Sequence, residues 1–174
     1  MMTDERQRDA LWPALEQLPR GAGVVFRHYG LAPGARRALF RAVQGVTRRR
    51  GLVLLLAGPP HIAAAWGADG SHGRHNARQS RMLRSAPVHD LREIRSAERA
   101  GADLLFLSPA FATQSHQGAI PLGPLRFARL ALEARLPVVA LGGMTPARAR
   151  RLAASGIHGW AAIDVWTSLS DRRK

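Results

Sequence analysis

Apolar positions along this chain alternate between short unbroken runs and stripes spaced three and four residues apart. Val24-Val25-Phe26 opens a predicted strand that runs to Tyr29, Gly51-Leu52-Val53-Leu54-Leu55-Leu56-Ala57-Gly58 is an uninterrupted apolar run of strand length, and Asp103-Leu104-Leu105-Phe106-Leu107-Ser108 is the next. Such runs read as strands covered on both faces, the habit of parallel sheets. Pro137-Val138-Val139-Ala140-Leu141 has the same character. Between the runs the spacing is helical. Leu11, Leu15 and Leu18 with Trp12 predict a helix over 9–18, closed by Pro19-Arg20-Gly21. Pro33–Arg50 reads as the next helix, with Leu39, Ala42, Val43 and Val46 expected on its buried side. A short helix is predicted over 61–66. Leu91, Ile94, Ala97 and Ala100 form a further stripe, with Asp90 as N-cap and Gly101 as the stop. Helices over 124–134 and 146–155 follow.

The stretch from Gly67 to Arg84 is less regular. It predicts a very short strand over 68–72, a polar loop over 73–79 and an extended segment over 82–88. A last strand is expected over 159–164, before a short C-terminal helix. Strand and helix in alternation argue for a parallel α/β architecture. No linker rich in Pro, Gly or Ser divides the chain, so one domain spanning 1–174 is expected.

Composition narrows the chemistry. The chain has no cysteine, which removes disulfides, thiolate metal sites and a cysteine nucleophile. The opening Met1-Met2-Thr3-Asp4-Glu5-Arg6 lacks the apolar core of a signal peptide, and no run of apolar residues is long enough for a membrane span. A soluble, cytoplasmic protein with no membrane partner is the expectation. The net charge is +14, and Lys174 is the only lysine. The arginines are scattered through helices and turns, so they read first as solvated helix surface. Attraction for anionic small molecules is a second reading, and nucleic-acid binding ranks below the solvated surface because the charge is not concentrated beside aromatics.

Candidate chemistry gathers at predicted strand ends. After strand 137–141, Gly142-Gly143 leads through Met144 and Thr145 into a helix opened by Pro146. Backbone N–H groups at such a turn can hold a phosphate without any side chain. His28, His72, His89 and His116 stand at or just beyond strand ends. His72, His89 and His116 are the candidate proton carriers; capping or hydrogen bonding is the plainer role for the first two, a lid loop for the third. Arg27 needs a carboxylate or a bound anion to compensate its charge, and Tyr29 beside it could stack on a heteroaromatic ring. Asp164 is a candidate ligand residue that could instead pair with Arg27 or orient a histidine. Ser108 and Thr113 are candidate hydrogen-bond donors to a ligand. Trp66, Trp160 and Trp166 read mainly as packing residues.

Five pieces in order resemble the thiamine phosphate synthase family and its sister branch, the thiazole tautomerase-like proteins. They are Ala-Asp-Gly-Ser-His (68–72), Ala-Pro-Val-His-Asp (86–90), Ala-Gly-Ala-Asp-Leu-Leu-Phe-Leu-Ser-Pro-Ala-Phe-Ala-Thr (100–113), Leu-Gly (122–123) and Pro-Val-Val-Ala-Leu-Gly-Gly (137–143). The resemblance implies a compact (β/α)8 TIM barrel, with Val24 to Tyr29 as first strand and Leu52 to Leu56 as second. Barrels of this class usually need about 250 residues, so the early units are expected to be shortened or irregular. The resemblance further implies a homodimer in thiamine biosynthesis, acting on a small phosphorylated azole or pyrimidine ligand. It maps the thiazole phosphate loop onto Gly142 and Gly143. The family's magnesium is possible, but the carboxylates expected to hold it are absent: Ala57-Gly58-Pro59 stands in place of Asn-Asp-Arg, and Gly73-Arg74-His75-Asn76 in place of Leu-Gly-Gln-x-Asp. No cofactor is therefore expected with assurance. A tautomerase-like isomerase and a non-catalytic phosphate-ligand binder stay open beside the synthase.

Overall fold

The computed structural model describes residues 1–76, 82–113, 118, 120–163 and 165. The chain divides into two compact units, residues 1–71 with the C-terminal residues from 163, and residues 72–162. Both follow the same plan, in which each buried strand hands the chain to a covering helix. The seven strands found among the described residues keep chain order, and every register-resolved pair is parallel. This is an α/β fold with the strand order of a TIM-barrel topology, irregular in its early units.

In the first unit β1 (Gly23–Phe26) pairs with β2 (Val53–Ala57), placing Phe26 beside Leu56. Ahead of them a turn of 3-10 helix (Glu5–Ala10) runs into α1 (Leu11–Gln17). Asp4 caps this entry by accepting from the Arg6 N–H, and Gln7 answers from the third helical position, a capping box. α2 (Pro33–Arg50) joins the two strands and ends on Gly51 in the left-handed region. α3 (Pro60–Trp66) follows β2, and Gly70–His72 forms β3.

Sequence reasoning differs from the structure at two places here. Met1–Thr3 lies parallel to β1: the Thr3 N–H donates to the Val25 carbonyl, and the Val25 N–H to the Met1 carbonyl, both at 2.9 Å. A strand-like segment therefore precedes the first predicted strand, and β1 itself stops at Phe26, short of Tyr29. The buried side of α2 is also rotated from the expected one. Phe40, Val43 and Thr47 face inward, while Ala42 is exposed. Phe40 sets the phase because its ring packs edge-on to Phe26 at 5.4 Å and against Trp66 at 5.2 Å.

In the second unit β4 (Leu83–Val88), β5 (Leu104–Leu107), β6 (Val138–Ala140) and β7 (Gly159–Trp160) pair in that order. Their helices are α4 (Leu91–Ala100), α5 (Gly123–Glu133) and α6 (Pro146–Leu152), the last continued by a 3-10 turn (Ala153–Ser155). The core joins Val88, Leu105, Leu107 and Ala140 from strands to Ile94, Phe127 and Leu152 from helices. Asp90 caps α4 as expected, accepting from the Glu93 N–H at 2.8 Å. Among the described residues no helix is long and apolar enough to cross a membrane.

Candidate functional site

Register decides which side chains meet in the second unit. Val88 is level with Leu107, and Leu107 with Ala140. The next residues, His89, Ser108 and Leu141, therefore leave three adjacent strands at one edge of the sheet, and Gly142-Gly143 follows Leu141. In barrels of this topology that carboxyl edge carries the chemistry.

The glycine turn is dictated by crowding. Gly142 has φ +92° and Gly143 φ +60°, values that favour glycine. A Cβ on Gly142 would stand 2.7 Å from the Pro109 Cα, and one on Gly143 would run into the Ala112 carbonyl oxygen. The loop after β5 is laced onto the turn: the Ala110 N–H donates to the Leu141 carbonyl at 2.8 Å and the Phe111 N–H to the Gly142 carbonyl at 3.1 Å. Arg148 adds a clasp, donating from Nη1 to the Gly143 carbonyl while its guanidinium carbon lies 4.9 Å from the Phe111 ring centre. The carbonyls of the turn are thus engaged. Its amides are not: among the described residues nothing accepts from the Gly142 or Gly143 N–H. Thr145 caps α6 by accepting from the Arg148 N–H at 3.2 Å.

His89 is half-exposed and oriented. Its Nδ1 lies 2.7 Å from Glu93 Oε2, and its backbone N–H donates to the same oxygen at 2.9 Å. Glu93 Oε2 can only accept and Arg74 Nη2, 3.1 Å from the same Nδ1, can only donate, so the ring is held by Nδ1 in either tautomer and Nε2 is the nitrogen left for a ligand. Arg74 completes the group, with Nη2 at 2.8 Å from Glu93 Oε1. His72 is a different kind of residue. It is 7% exposed, its Nδ1 is 2.9 Å from the Ser85 hydroxyl, and its ring meets Phe106 edge-on. Ser108 is half-buried, precedes a cis bond to Pro109, and donates its N–H to the Val88 carbonyl. Thr113 is half-buried. A groove of about 700 Å³ runs beside β4 and α4, lined by Arg74, Ser85, Pro87, Glu93 and Ala97 among others, and includes neither glycine.

Arg27 and Tyr29 belong to the first unit, beyond the end of β1. The carboxylate facing Arg27 is Asp4, at 3.9 Å. Burial opposes the Asp4 charge, but hydrogen bonds from Arg6 and the nearby Arg6 and Arg27 charges outweigh it and hold its pKa below the usual value. Tyr29 is 61% exposed. His28 between them is 4% exposed, stacked on Phe26, with Nδ1 3.0 Å from the Thr3 hydroxyl. Burial pulls its pKa below the ordinary imidazole value. His116, Asp164 and Trp166 lie outside the described residues.

Among the described residues the magnesium implied by the resemblance finds no suitable donors. Ala57, Gly58 and Pro59 offer no carboxylate at the end of β2, and the Ala57 carbonyl already accepts from Arg36. Among the described residues no three of His, Cys, Asp and Glu are grouped to hold a metal ion. Sequence reasoning missed Glu93, Arg148 and Asp4. The Glu93 signal was present: a carboxylate four residues after a strand-end histidine, on the first turn of a helix.

Comparison with known proteins settles the ancestry. The family model for thiamine monophosphate synthase matches residues 2–165. The chain belongs to this family. Its relatives are distant. It is 33% identical over 149 residues to the thiamine-phosphate synthase of Laribacter hongkongensis, covering 75% of this chain and 66% of the relative. With that of Methanoregula boonei it shares 33% over 154 residues, covering 82% and 70%. Among solved structures, thiamine phosphate pyrophosphorylase from Pyrococcus furiosus superposes with a TM-score of 0.81 at 22% identity, covering 98% of this chain and 92% of the other. This family member is divergent, and the structural likeness speaks for the fold.

Proposed function

We propose that this protein is a thiamine phosphate synthase-like enzyme of thiamine biosynthesis, working on a thiazole phosphate or a closely related azole. The observation that carries the reading is the Gly142-Gly143 turn, with amides that meet no acceptor among the described residues, at the carboxyl edge of β6. Those amides would take the phosphate, with the Arg148 guanidinium close by as fixed positive charge. His89, held by Glu93 through Nδ1, would carry a proton at Nε2 to or from the azole. Ser108 and Thr113 would donate hydrogen bonds near the same edge. His72 would hold β3 to β4 through Ser85. Arg27 and Tyr29 would act at the end of β1, and His116 and Asp164 keep the roles expected from the sequence. The reading includes a cytoplasmic homodimer, which sedimentation would test.

A second reading is favoured by one observation: a carboxylate-oriented histidine follows β4, while 57–59 and 73–76 lack the carboxylates the family's metal would need. That set suits a tautomerase-like isomerase, which needs a phosphate grip and a proton carrier but no leaving diphosphate. The deciding experiment incubates the protein with a thiazole phosphate, alone and with hydroxymethylpyrimidine diphosphate, and follows products by mass spectrometry and ring-proton exchange. Thiamine phosphate and pyrophosphate would establish the synthase. Exchange or isomerisation without coupling would establish the isomerase, and binding with no turnover would leave a ligand-binding protein.

A further inference from the structure

Folding collects into one line arginines that look scattered along the chain. α2 carries Arg36, Arg37, Arg41, Arg48, Arg49 and Arg50, and no aspartate or glutamate. Those near the helix ends have partners. Arg36 donates to the Arg27 and Ala57 carbonyls, and Arg49 and Arg50 meet Glu16. Arg37, Arg41 and Arg48 are exposed, and among the described residues their side chains make no hydrogen bond or ion pair. At 3.6 residues per turn they fall within about 40° of one another around the helix axis and span about 16 Å along it. The surface beside them is bare. Gly34, Ala38 and Gly45 are exposed on the same side. Glycine weakens a helix interior because it surrenders more backbone freedom than any other residue. Nothing in the fold requires it at Gly45: its φ is not positive, and an added Cβ would meet nothing within 4 Å. A larger side chain there would stand between Arg41 and Arg48, so the glycine keeps the row open to contact from outside.

This face of α2 offers guanidinium groups on a smooth floor, with no carboxylate and no large apolar side chain. A protein partner needs an apolar anchor, and a membrane surface needs an apolar face that sinks into it. Neither is here. A run of phosphates needs only what is present. Guanidinium groups bond phosphate oxygens in pairs, and free ones in a row suit a backbone of regularly spaced negative charge. We infer that the outer face of α2 docks the phosphate backbone of a nucleic acid. It grips without reading sequence, because Phe40, the aromatic residue of α2, is buried and leaves no ring to stack on a base. The proposed reaction uses none of these residues.

The test is fluorescence anisotropy of a short labelled DNA duplex of mixed sequence, titrated with the full chain over a series of salt concentrations. The wild type should bind, with an affinity that falls steeply as salt rises and is the same for a second duplex of unrelated sequence. The triple variant Arg37→Gln/Arg41→Gln/Arg48→Gln should bind about tenfold or more weakly. Its slope of log affinity against log salt should drop by about 2 to 3, roughly one for each lost phosphate contact. Arg126→Gln/Arg129→Gln/Arg151→Gln removes the same charge from exposed positions of the other unit and should bind as the wild type does. Gly45→Glu sets a carboxylate between Arg41 and Arg48 and should also lose binding, whereas Gly45→Ala should keep it. That pair decides if the triple variant fails to fold by circular dichroism. Equal losses in the two triple variants would mark general attraction to a basic protein and overturn the inference. So would no binding by the wild type, or unchanged affinity in Gly45→Glu. Preference for phosphatidylserine vesicles over the duplex would overturn it too, and make the face a membrane contact.

Discussion

His89 is bound twice to one oxygen of Glu93, through Nδ1 at 2.7 Å and through its backbone N–H at 2.9 Å. The backbone bond closes the chain's turn from β4 into α4, and the ring bond fixes the imidazole on that turn. The fold and the proposed chemistry would therefore share one carboxylate. Glu93→Ala should lower turnover of the proposed azole substrate by about tenfold or more, because a free imidazole loses its direction. The half-exposed ion pair contributes little to folding, so stability should change by no more than about 1 kcal/mol. Steady-state rates beside urea unfolding separate the two effects, and an unchanged rate would remove His89 as the proton carrier.

The glycine turn makes a conformational prediction. Gly142→Ala meets the Pro109 backbone as well as a left-handed φ, so it should cost about 2 kcal/mol or more. Gly156→Ala also has positive φ but open space around its Cβ, and should cost less. Urea unfolding of both variants compares backbone strain with and without the clash. Equal losses would show that the loop after β5 does not press on the turn.

His28 should make stability fall in mild acid. Its folded pKa lies below the unfolded value of 6.5, so the unfolded chain takes up its proton first as pH drops. Stability contributed by the neutral, buried ring is complete above that value and declines as pH falls toward the folded pKa. Asp4, Glu5 and Glu98, each with a lowered pKa, add losses of the same sign at lower pH. His28→Asn tolerates the positive φ and should flatten the slope of unfolding free energy between about pH 7.5 and about pH 5. A slope equal to the wild type would assign the effect elsewhere.

The rotated face of α2 is testable in the core. Phe40→Ala should destabilise by about 3 kcal/mol or more, whereas Ala42→Ser should stay within about 0.5 kcal/mol. Thermal unfolding distinguishes this from the stripe read off the sequence, under which Ala42 would be buried beside Leu39, Val43 and Val46 and sensitive to the change.

How much could be read from the sequence follows from where the energy lies. Buried strands announce themselves, so β2 at Val53–Ala57 and β5 at Leu104–Leu107 fall within the predicted runs. Caps with one dominant residue do so too, as Asp90 and Gly101 do for α4. The phase of α2 was hidden because one inward position is Thr47, which hides its polarity by donating to the Gln44 carbonyl at 3.1 Å. Met1–Thr3 beside β1 is too short for any periodicity. In the site, the glycine turn was legible because only glycine fits it. The partner of His89 was legible too, as a carboxylate four residues on, whereas that of Arg27 was not, since its ion pair depends on how the chain folds back to bring Asp4 beside it.

The central claim is that bare amides at Gly142 and Gly143 grip a phosphate. Calorimetric titration of a thiazole phosphate into the wild type and Gly143→Asp, both in chelator, tests it most directly. The account predicts saturable binding to the wild type that disappears in a Gly143→Asp protein still folded by circular dichroism. Equal binding by the two proteins, or no binding by the wild type, would contradict it.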